Sequence, residues 1–457
     1  MKIGIIQLGA KGDVVRTLPI LIGIREKYPD SEITWITKNE CEEIIKTSPY
    51  VKKTITLPVE SSEQSESFDL LLNLDIEDEA TELAKNLNSE KKLGFYKEDD
   101  FVQAFNLGAE YYLNTLFDDE TKKNNRKSYQ EMMFEAAELI YKNQHHPIVL
   151  TEQEKEYAKD FMEINNIDGN VIGIHLGASS RWPSKVWHEN NLIEFIEKAS
   201  EKNYKILLLA GPNEENYLEK IKNILENKNL KIYTNNPLNT DKEFFSLIES
   251  CTKVISGDSF ALHVALALNK PTIGLFFCTT PHELESYNLL KKLTSPIIYN
   301  FFPEKMDHYS EDLTKSISAQ EVIDALDNTN ITKVVNAIIK KDNKFLLIKR
   351  AEGIHDGKWA LPGGVLESNE TIFDGLKREL NEELNINLIK ITRKIANYNY
   401  KREDNSLTKG QSYLVEANVS NIKKNHEVIE WDWFSIEDLE TLDHIEGLDY
   451  ELLGSFN

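Results

Sequence analysis

The stretch KIGIIQLGAKGDVVRTLP, residues 2–19, places a turn with two glycines directly after an apolar run and before a helical pattern. A glycine-containing turn between a first strand and a helix is typical of a doubly wound α/β sheet, in which ligands bind at the carboxyl ends of the strands. Two functions fit this turn: Gly9 and Gly12 cradle a phosphate, or Asp13 is the functional group. A dinucleotide-dependent oxidoreductase is disfavoured, because the turn lacks the G-x-G-x-x-G spacing of that class.

Composition and charge limit the classes of function. The chain has 457 residues, which suits two or three domains of roughly 100 to 200 residues each. Its formal net charge of -23 disfavours attraction to a nucleic-acid backbone or an anionic membrane, so we expect no nucleic-acid partner and at most peripheral membrane contact. The three cysteines, Cys41, Cys251 and Cys278, are far apart, which favours buried thiols in a reducing compartment. No signal peptide or apolar stretch of about 18 to 20 residues is visible, and we expect a cytoplasmic protein.

The order of the apolar runs predicts an α/β fold. Up to about residue 328, short β-rich runs alternate with helical patterns, which indicates parallel sheets covered on both faces. The runs are KIGIIQL, EITWIT, FDLLLNL, VIGIHLG, KILLLAG, KIYT, KVISGD and PTIGLFF. A largely helical stretch at residues 110–145 separates the first three runs from the others. We therefore predict two Rossmann-like lobes, about 1–148 and about 149–328, with a ligand cleft between them.

A new pattern begins between residues 328 and 332, after a polar Asn/Thr cluster. The segment KVVNAIIKKDNKFLLIKR has two β-rich runs around a polar turn, which predicts a hairpin. One strongly helical stretch and further strands follow it. Residues 332–457 are therefore predicted to form a separate domain.

A run of carboxylates is the most specific chemical signal of this last domain. Within PGGVLESNETIFDGLKRELNEELNI, residues 362–386, Glu379, Glu382 and Glu383 fall on one face of a predicted helix. Such a cluster needs a countercharge, and hard oxygen ligands without His or Cys favour Mg²⁺ or Mn²⁺ over zinc. An ion held there would bridge phosphate oxygens and activate water for cleavage of a diphosphate. The alternative is a solvated acidic helix face.

The full spacing decides between these alternatives. From Gly364, five residues lead to Glu370 and seven more lead to Arg378, which the carboxylates follow. The pattern resembles the Nudix box of the Nudix hydrolases, an α/β/α fold, and the resemblance covers roughly the last quarter of the chain. The matched positions are Gly364, Glu370, Arg378, Glu379, Leu380, Glu382, Glu383 and Ile386. Asn385 stands where the family has Gly, at a position that needs a left-handed helix C-cap, which Asn tolerates next best.

The resemblance implies roles for individual residues of the box. Glu379, Glu382, Glu383 and the carbonyl of Gly364 would hold the metal, Arg378 would orient the helix carboxylates, and Glu370 would brace the loop. The box does not fix the general base, and either Glu427 or Glu430 could supply a further carboxylate. Trp359 either stacks on a nucleobase as part of the substrate site or packs in the core.

Two segments of the preceding lobe carry phosphate-binding chemistry. IHLGASSRWPSKVWHENNLIEFI places Lys185 just before a helix, with Ser180 in the preceding loop. VISGDSFALHVALALNKP predicts a strand, a turn through Gly257, Asp258 and Ser259, and a helix whose N-terminus faces the cleft. Backbone N–H groups and the macrodipole at that end favour a diphosphate, and Lys185 could supply positive charge to the same group.

Together with the opening stretch, these segments resemble the family 9 glycosyltransferases, the heptosyltransferase-like group, over most of residues 1–328. The three motifs of the family are matched in order by Leu8, Gly9, Gly12, Asp13, Thr17 and Pro19, by His175, Gly177, Ser184, Lys185 and Trp187, and by Asp258, Ser259 and His263. KPTIGLF and Pro281 follow the third motif. The resemblance implies a GT-B fold and inverting transfer of a sugar from a nucleoside diphosphate sugar, such as an ADP-heptose-like donor, without an essential metal.

Under this resemblance Asp13 is the candidate base that takes the proton of the acceptor hydroxyl. The alternative is that Asp13 only caps the helix that follows. Gly12, Ser180, Lys185, Gly257, Asp258 and Ser259 are the candidate substrate-binding residues of the two lobes. Because the phosphate features lie in the second lobe, the first turn is expected to serve the acceptor, with Gly9 and Gly12 allowing a tight bend. His175 and His263 are expected to be packed structural side chains.

The motifs depart from the family pattern at two places. Phe260 stands where the family usually has Gly, and we expect its bulk to block close approach of the backbone to a phosphate. FFCTTPH, which includes Phe277, Cys278 and Thr280, replaces a Gly-Pro-Thr-Asp-Pro type of loop.

The sequence therefore predicts a bifunctional enzyme of lipopolysaccharide or surface-glycan biosynthesis. One part would transfer a sugar to a glycan or lipid-linked acceptor, and the other would hydrolyse a nucleoside diphosphate-linked substrate with Mg²⁺ or Mn²⁺. The alternative, motivated by Phe260 and the altered loop, is an inactive lobe pair that acts as a ligand sensor or scaffold for an active hydrolase.

Overall fold

The computed structural model describes residues 1–59, 66–327, 331–351, 357–367, 370–401 and 407–456. Contacts divide the chain into two compact units. Unit 1 consists of Met1–Leu293 and Met306–Ile323, and unit 2 consists of Thr294–Lys305 and Asp324–Asn457. The boundary predicted between residues 328 and 332 falls at 328–330, which lie outside the described residues.

Unit 1 contains two largely parallel sheets. The strands of the first are β1 (Lys2–Ile6), β2 (Glu32–Thr37), β3 (Val51–Thr56), β4 (Ser67–Asn73), β5 (Asn88–Glu98) and β6 (Phe101–Ala104). Their order in the sheet is β3-β2-β1-β4-β5-β6, and all neighbours are parallel except β6, which is antiparallel to β5. This sheet forms the first lobe.

The second sheet forms the second lobe. Its strands are β7 (Val171–His175), β8 (Lys205–Leu209), β9 (Tyr233–Thr234), β10 (Lys253–Gly257), β11 (Thr272–Phe276) and β12 (Leu290–Thr294), in the order β12-β11-β10-β7-β8-β9. The pairs β11-β10, β10-β7, β7-β8 and β8-β9 are parallel. The predicted run KVISGD thus forms β10, at the centre of the sheet.

Helices connect and cover these strands. In the first lobe they are α1 (Lys11–Thr17), α2 (Ile20–Lys27), α3 (Glu42–Ile45), α4 (Asp78–Asn86), α5 (Leu107–Phe117), α6 (Asp119–Asn124) and α7 (Tyr129–Ala136). They continue with α8 (Glu152–Ile164), α9 (Glu189–Glu201), α10 (Glu215–Asn227), α11 (Asp241–Ser250), α12 (Phe260–Ala267), α13 (Glu311–Lys315) and α14 (Ala319–Leu326). The helical stretch predicted at residues 110–145 corresponds to α5, α6 and α7.

The opening stretch forms the strand and helix that its pattern predicts. Ile3 and Ile5 of β1 belong to one buried cluster, whereas Ile6 and Leu8 belong to another. Because successive side chains of a strand point to opposite faces, β1 is buried on both sides, as its continuous apolar run predicts.

Four strands were not predicted from the sequence: β3, β5, β6 and β12. β3 and β6 lie at the two edges of the first sheet, and β12 lies at an edge of the second. Their sequences include VKKTIT, NSEKKLGFYKE and LKKLT, which mix charged and apolar residues. The edge strands β3, β6 and β12 need no apolar side chains on their outer positions, so the apolar-run criterion misses them. The internal strand β5 was missed because its first half, NSEKK, is polar.

Unit 2 contains a mixed sheet. Its strands are β13 (Ile331–Lys341), β14 (Lys344–Arg350), β15 (Trp359–Ala360), β16 (Gly363–Val365), β17 (Asn387–Lys401), β18 (Leu407–Asn418) and β19 (Val428–Phe434). The order is β15-β14-β13-β18-β17, with β16 on β13 and β19 on β14, and β13 and β18 are parallel. The predicted hairpin is formed by β13 and β14, and its two turn residues, Asp342 and Asn343, have φ of 50° and 60°. Two residues with positive φ are the requirement of a type I′ turn.

Helices α15 (Ile372–Leu384) and α16 (Leu448–Leu453) accompany this sheet. Helix α15 carries the predicted acidic face. Thr371 caps its N-terminus by accepting the N–H of Asp374, and Asn385 ends it with φ 54° and ψ 35°. The predicted left-handed C-cap is therefore present at Asn385.

This C-cap leads to a stability prediction. Left-handed backbone costs an ordinary L-residue about 1–2 kcal/mol, costs Asn less and costs Gly nothing. We expect Asn385→Gly to raise the free energy of unfolding of unit 2 by about 0.5 kcal/mol and Asn385→Ala to lower it by about 1 kcal/mol. Urea denaturation of the full chain, monitored by a spectroscopic signal from unit 2, measures both changes in the free energy of unfolding. The same direction of change for both variants would contradict the prediction.

The remaining predictions about the chain concern its cysteines and membrane contact. Cys41, Cys251 and Cys278 are all buried and free. Among the helices that the structure describes, none has both the length and the apolar character of a membrane span.

Candidate active sites

Two backbone N–H groups of the turn after β1 already have a partner. The backbone N–H groups of Leu8 and Gly9 donate to one carboxylate oxygen of Asp75, at 2.8 Å and 2.7 Å. Asp75 follows β4, which is the neighbour of β1 in the sheet. A buried carboxylate therefore occupies the N–H groups at Leu8 and Gly9, which disfavours a phosphate at Gly9. Sequence reasoning missed Asp75, although its place after the run FDLLLNL was a usable signal.

Gly12 lies in helix α1, and neither Gly9 nor Gly12 has a positive φ. A Cβ at Gly12 would lie 3.1 Å from the ring of His263 and 3.6 Å from Cα of Phe260 in α12. The expected tight bend at Gly12 is therefore wrong. The missing side chain instead lets helix α1 of the first lobe approach helix α12 of the second.

Asp13 lies in the first turn of α1, and its side chain is 38% exposed. The N-cap residue is Ala10, and no side chain caps this helix, so the capping alternative for Asp13 is wrong. Oδ1 of Asp13 forms an ion pair with Arg16 at 2.8 Å. The Arg16 guanidinium stacks on the ring of Tyr129 at 3.7 Å. Asp13 thus has a fixed orientation and an accessible carboxylate.

In the second lobe, Lys185 and Asp258 meet as a pair. Nζ of Lys185 donates to Oδ2 of Asp258 at 2.7 Å and to its carbonyl at 3.1 Å. Both side chains are nearly buried, with 12% and 14% exposed. Burial favours the neutral carboxyl, but the Lys185 ammonium holds the pKa of Asp258 well below its usual range. Sequence reasoning named both residues, but it did not foresee that they pair with each other.

This pair leads to a second stability prediction. Lys185→Met leaves Asp258 buried without its cation, and we expect it to lower the free energy of unfolding of unit 1 by about 3 kcal/mol. The double variant Lys185→Met, Asp258→Asn has no uncompensated charge and should recover more than about half of that loss. Denaturation of the single and double variants measures the coupling. Additive losses would show that the pair does not contribute to stability.

Ser259 and Gly257 lie beside this pair. Ser259 is the N-cap residue of α12, but its hydroxyl bonds Ser256 at 2.9 Å and Nδ1 of His175 at 3.1 Å rather than a helix N–H. A Cβ at Gly257 would lie 2.8 Å from the carbonyl of Lys185, so this glycine allows the two backbones to approach. A cleft lined by residues that include Gly177, Lys185, Tyr217 and Gly257 opens here, at the carboxyl ends of β7 and β10. Ser180 is exposed in the loop that follows β7.

The predicted structural histidines are buried. Burial lowers the pKa of His175 to about 4, and burial together with the charge of Arg16 lowers the pKa of His263 to about 4. Both side chains are therefore neutral at neutral pH, as packed histidines are.

The residues that depart from the family motifs are held by packing, and the ring of Phe260 also meets the first lobe, with Nζ of Lys11 at 5.9 Å from its centre. The ring of Phe260 lies 6.2 Å from that of Phe244 and 6.0 Å from that of Phe245, both in α11. Phe244 and Phe245 therefore hold Phe260 beside α11. Phe277, Cys278 and Thr280 of the altered loop are 1%, 0% and 4% exposed. These loop side chains replace a polar motif with buried packing.

In unit 2, Arg378 gathers the carboxylates of the acidic helix. Its Nε and Nη2 bind the two oxygens of Glu370 at 2.7 Å and 3.0 Å. Its Nη1 binds Glu379 at 2.9 Å and Glu382 at 3.2 Å. Nη2 also donates to the carbonyl of Val365, at the end of β16. One guanidinium therefore fixes the loop, the strand and the helix together.

Glu383 and Glu379 are the buried members of the cluster. Glu383 is 2% exposed and accepts the N–H of Gly363 at 2.8 Å. Burial raises the pKa of Glu383 to about 8, and it also raises that of Glu379, to which Glu382 and Glu427 add repulsion. A Cβ at Gly364 would lie 2.5 Å from the Glu379 carboxylate, so a larger residue there would displace that carboxylate. The two buried acids and Gly364 thus form one compact group.

The chemistry of this donor set fits a hard divalent cation. The clustered side chains are carboxylates, burial disfavours the ionisation of Glu379 and Glu383, and a cation would relieve the mutual repulsion of the cluster. In the part of the chain that the structure describes, no three acidic, His or Cys side chains already surround a common point. Arg378 instead supplies positive charge to Glu379 and Glu382. Of the two candidates for a further carboxylate, Glu427 is the one whose charge acts on both Glu379 and Glu383.

Trp359 does not offer its ring to a nucleobase. It is 7% exposed and belongs to a buried cluster that includes Leu361, Leu439 and Leu448. Its ring lies 4.6 Å from that of Phe434 in an edge arrangement. The prediction of Trp359 as a substrate-binding residue is therefore wrong, and its core-packing alternative agrees with the structure.

Two facing parallel-sheet lobes with a charged cleft, followed by a mixed sheet with an acidic helix, define a glycosyltransferase-like part and a Nudix-like part. The family model of glycosyltransferase family 9 (heptosyltransferase) matches residues 63–309, slightly more than half of the chain. The chain belongs to this family, and it carries a C-terminal NUDIX domain, whose model matches residues 331–453. The predicted fold class is confirmed: a GT-B glycosyltransferase of two lobes, followed by a Nudix domain.

Relatives of each part are known. Lipooligosaccharide heptosyltransferase 2 of Haemophilus ducreyi is 25% identical over 311 residues, which cover 62% of this chain and 84% of that protein. The structure of Escherichia coli ADP-heptose LPS heptosyltransferase II superimposes with a TM-score of 0.53 at 17% identity, covering 72% of this chain and 98% of the other, which shows the fold. Nucleoside triphosphatase NudI of Escherichia coli is 32% identical over 119 residues, which cover 23% of this chain and 83% of that protein.

Proposed function

We propose that the chain is a bifunctional enzyme. Its first part transfers a sugar, with inversion, from a nucleoside diphosphate sugar to a glycan or lipid-linked acceptor of a surface glycan such as lipopolysaccharide. Its second part hydrolyses a nucleoside diphosphate-linked substrate with Mg²⁺ or Mn²⁺. The observation that carries the proposal is the presence of an oriented carboxylate and a buried lysine-aspartate pair in a family 9 chain whose NUDIX domain has its box carboxylates bound by Arg378.

In the transferase mechanism, Asp13 accepts the proton of the acceptor hydroxyl as that oxygen bonds the anomeric carbon. The ion pair with Arg16 holds one oxygen of Asp13 and thereby fixes the plane of the carboxylate. The other oxygen is left to accept the proton. The bond between the anomeric carbon and the diphosphate breaks, and the diphosphate leaves with the electron pair. No metal is required for these steps, because the charge can be met by protein groups.

The departing diphosphate would lie between Lys185 and the N-terminus of α12. An ammonium has three N–H donors, and two contacts of Lys185 go to Asp258, which leaves a donor for a phosphate oxygen. The dipole of α12 favours an anion at the same place. Asp258 thereby positions Lys185, and Gly257 keeps the backbone of Lys185 close to β10.

For the hydrolase, Glu379, Glu382 and Glu383, with the carbonyl of Gly364, would hold Mg²⁺ or Mn²⁺. When bound, the ion supplies charge for the phosphate oxygens and lowers the pKa of a water molecule. Arg378 orients Glu379 and Glu382 and secures Glu370, which also accepts the N–H of Glu367 at 3.0 Å. Glu427 is the better placed of the two candidate bases.

The donor we propose is an ADP-heptose-like nucleotide sugar. It is supported by the names of the relatives, which include heptosyltransferases and an ADP-heptose enzyme. A further hypothesis, motivated by the fusion, is that the Nudix domain hydrolyses a nucleotide related to the donor or product of the transferase.

A mass-spectrometric screen of nucleotide sugars and glycan acceptors against full-length Asp13→Asn and Glu382→Gln chains tests these proposals. Each variant silences one proposed activity, so products of the other can be assigned. Donor binding without any transfer by the Glu382→Gln chain would instead support the sensor or scaffold alternative, for which the altered loop argues. Nucleotide preferences without overlap would contradict the shared-substrate hypothesis.

A further inference from the structure

Two charged side chains that have no ligand role in the mechanism above lie where the two lobes of unit 1 meet. Arg16 comes from helix α1 of the first lobe. Glu283 comes from the loop between β11 and β12 of the second lobe. Neither was singled out in the sequence, because nothing in the linear pattern relates residues so far apart.

Arg16 uses few of its donors. Its Nη2 is paired with Asp13, and its plane lies on the ring of Tyr129. Among the residues that the structure describes, none accepts a hydrogen bond from Nε, which is buried. A guanidinium has five N–H donors in a fixed planar fork, so several remain for a ligand.

Glu283 lies at the same place, next to Tyr129. Its carbonyl accepts the N–H of Tyr129, the residue under Arg16, at 2.8 Å. The described residues provide its carboxylate with neither a hydrogen bond nor an ion pair. Burial raises its pKa, while the charges of Arg16 and Lys122 in the first lobe act against burial. Desolvating a carboxylate without a hydrogen-bond partner is unfavourable, so this group is suited to receive a donor from a ligand.

The charge of the cleft determines what kind of ligand fits. Arg16 is paired with Asp13, and an anionic group placed directly against Glu283 would be repelled by its carboxylate. The diphosphate proposed at Lys185 is therefore not the ligand of Glu283. A sugar hydroxyl, in contrast, is neutral and both donates and accepts hydrogen bonds. Two adjacent hydroxyls can therefore donate to Glu283 and accept from Arg16.

We propose that Arg16 and Glu283, one from each lobe, bind adjacent hydroxyl groups of one neutral sugar ring in the cleft. They thereby select a ring with a free vicinal diol at that position. This inference rests on the proposed transferase function. The ring belongs either to the donor or to the acceptor, since both present the same hydroxyl chemistry.

The test uses full-length chains that also carry Glu382→Gln, so that hydrolysis of the nucleotide is removed. Isothermal titration measures the affinity for ADP and for ADP-heptose. If the ring is that of the donor, Glu283→Ala should remove about tenfold to a hundredfold of the affinity that the sugar adds, and leave the affinity for ADP unchanged. If the ring is that of the acceptor, both affinities remain, and KM for the acceptor found in the screen rises by about the same factor.

Arg16→Lys is the second variant, because it keeps the charge beside Asp13 but loses the planar fork. It should weaken the binding of the same ligand whose binding Glu283→Ala weakens. Glu285→Gln is the matched control: its carboxylate lies in the same loop but already accepts the hydroxyl of Tyr141 at 2.6 Å. It should change neither affinity nor KM. Thermal denaturation of each chain verifies that it is folded.

The possible failures are distinguishable. If the parent chain binds ADP-heptose and transfers the sugar, but Glu283→Ala and Arg16→Lys change neither donor affinity nor KM for the acceptor, this inference is overturned and the proposed function stands. If the parent chain binds ADP-heptose no more tightly than ADP and transfers no sugar, the proposed donor and this inference both fall.

Discussion

Asp13→Asn is expected to lower the kcat of sugar transfer by a factor between about a hundred and ten thousand, the usual contribution of a positioned base. The amide keeps the size of the carboxylate and can still accept a hydrogen bond from Arg16, but it cannot take the proton of the acceptor. KM for the donor should change little, because the groups that we propose for donor binding lie in the second lobe around Lys185. Initial rates with the donor and acceptor found by the screen measure the effect.

Asp78→Asn is a suitable control for this variant. Asp78 also lies in the first turn of a helix of the first lobe, α4, and also pairs with a cation, Lys97, at 2.9 Å. It is remote from the proposed chemistry and should leave kcat unchanged. Equal rates for Asp13→Asn and the parent chain would exclude Asp13 as the base, and Glu283 would then be the next carboxylate of the cleft to test.

Glu382→Gln is expected to abolish most of the metal-dependent hydrolysis of a nucleoside diphosphate-linked substrate. A bound metal stabilises the transition state by several kcal/mol. If the loss of one charged ligand removes about 3 kcal/mol of this, the rate of hydrolysis falls by at least about a hundredfold. Because the Glu382 side chain is 52% exposed, the variant should remain folded. Phosphate or nucleotide release in the presence of Mg²⁺ measures the rate, and sugar transfer by the same chain should be unaffected.

Glu416→Gln is the matched control for the hydrolase. Its side chain is 56% exposed and pairs with Lys390 at 2.8 Å, away from the Nudix box. The control should hydrolyse the substrate at the rate of the parent chain. Retained hydrolysis by Glu382→Gln would refute the metal assignment. If Glu382→Gln only weakens the affinity for the ion, additional Mg²⁺ should partly restore the rate of hydrolysis.

The sequence predicted much of the fold from local physical rules. Continuous apolar runs indicated the central parallel strands, because those strands are buried on both faces. The spacing of Glu379, Glu382 and Glu383 indicated a helix face, and the position of Asn385 indicated its left-handed end. Edge strands such as β3 were missed, since their outer positions need no apolar side chain.

The sites were predicted as sets of residues but not as sets of partners. The sequence named Asp13, Lys185 and Asp258 without indicating that Arg16 would bind the first or that the other two would pair. It also gave Gly12 a role in bending the backbone, whereas the glycine allows two helices from different lobes to approach. Trp359 is a similar case, because the sequence alone does not distinguish a tryptophan in the core from one in a binding site.

The opening turn separates what the sequence determined from what the tertiary structure decided. The sequence by itself determined that a strand, a turn and a helix begin the chain, because burial of β1 and helix formation depend on neighbouring residues. Only the tertiary structure decided what the turn does, since Asp75 reaches its N–H groups from another strand and Arg16 reaches Asp13 while lying on Tyr129. Hydrogen bonds and ion pairs act over a few ångströms in space, and the linear pattern does not specify which distant residues the fold brings within that range.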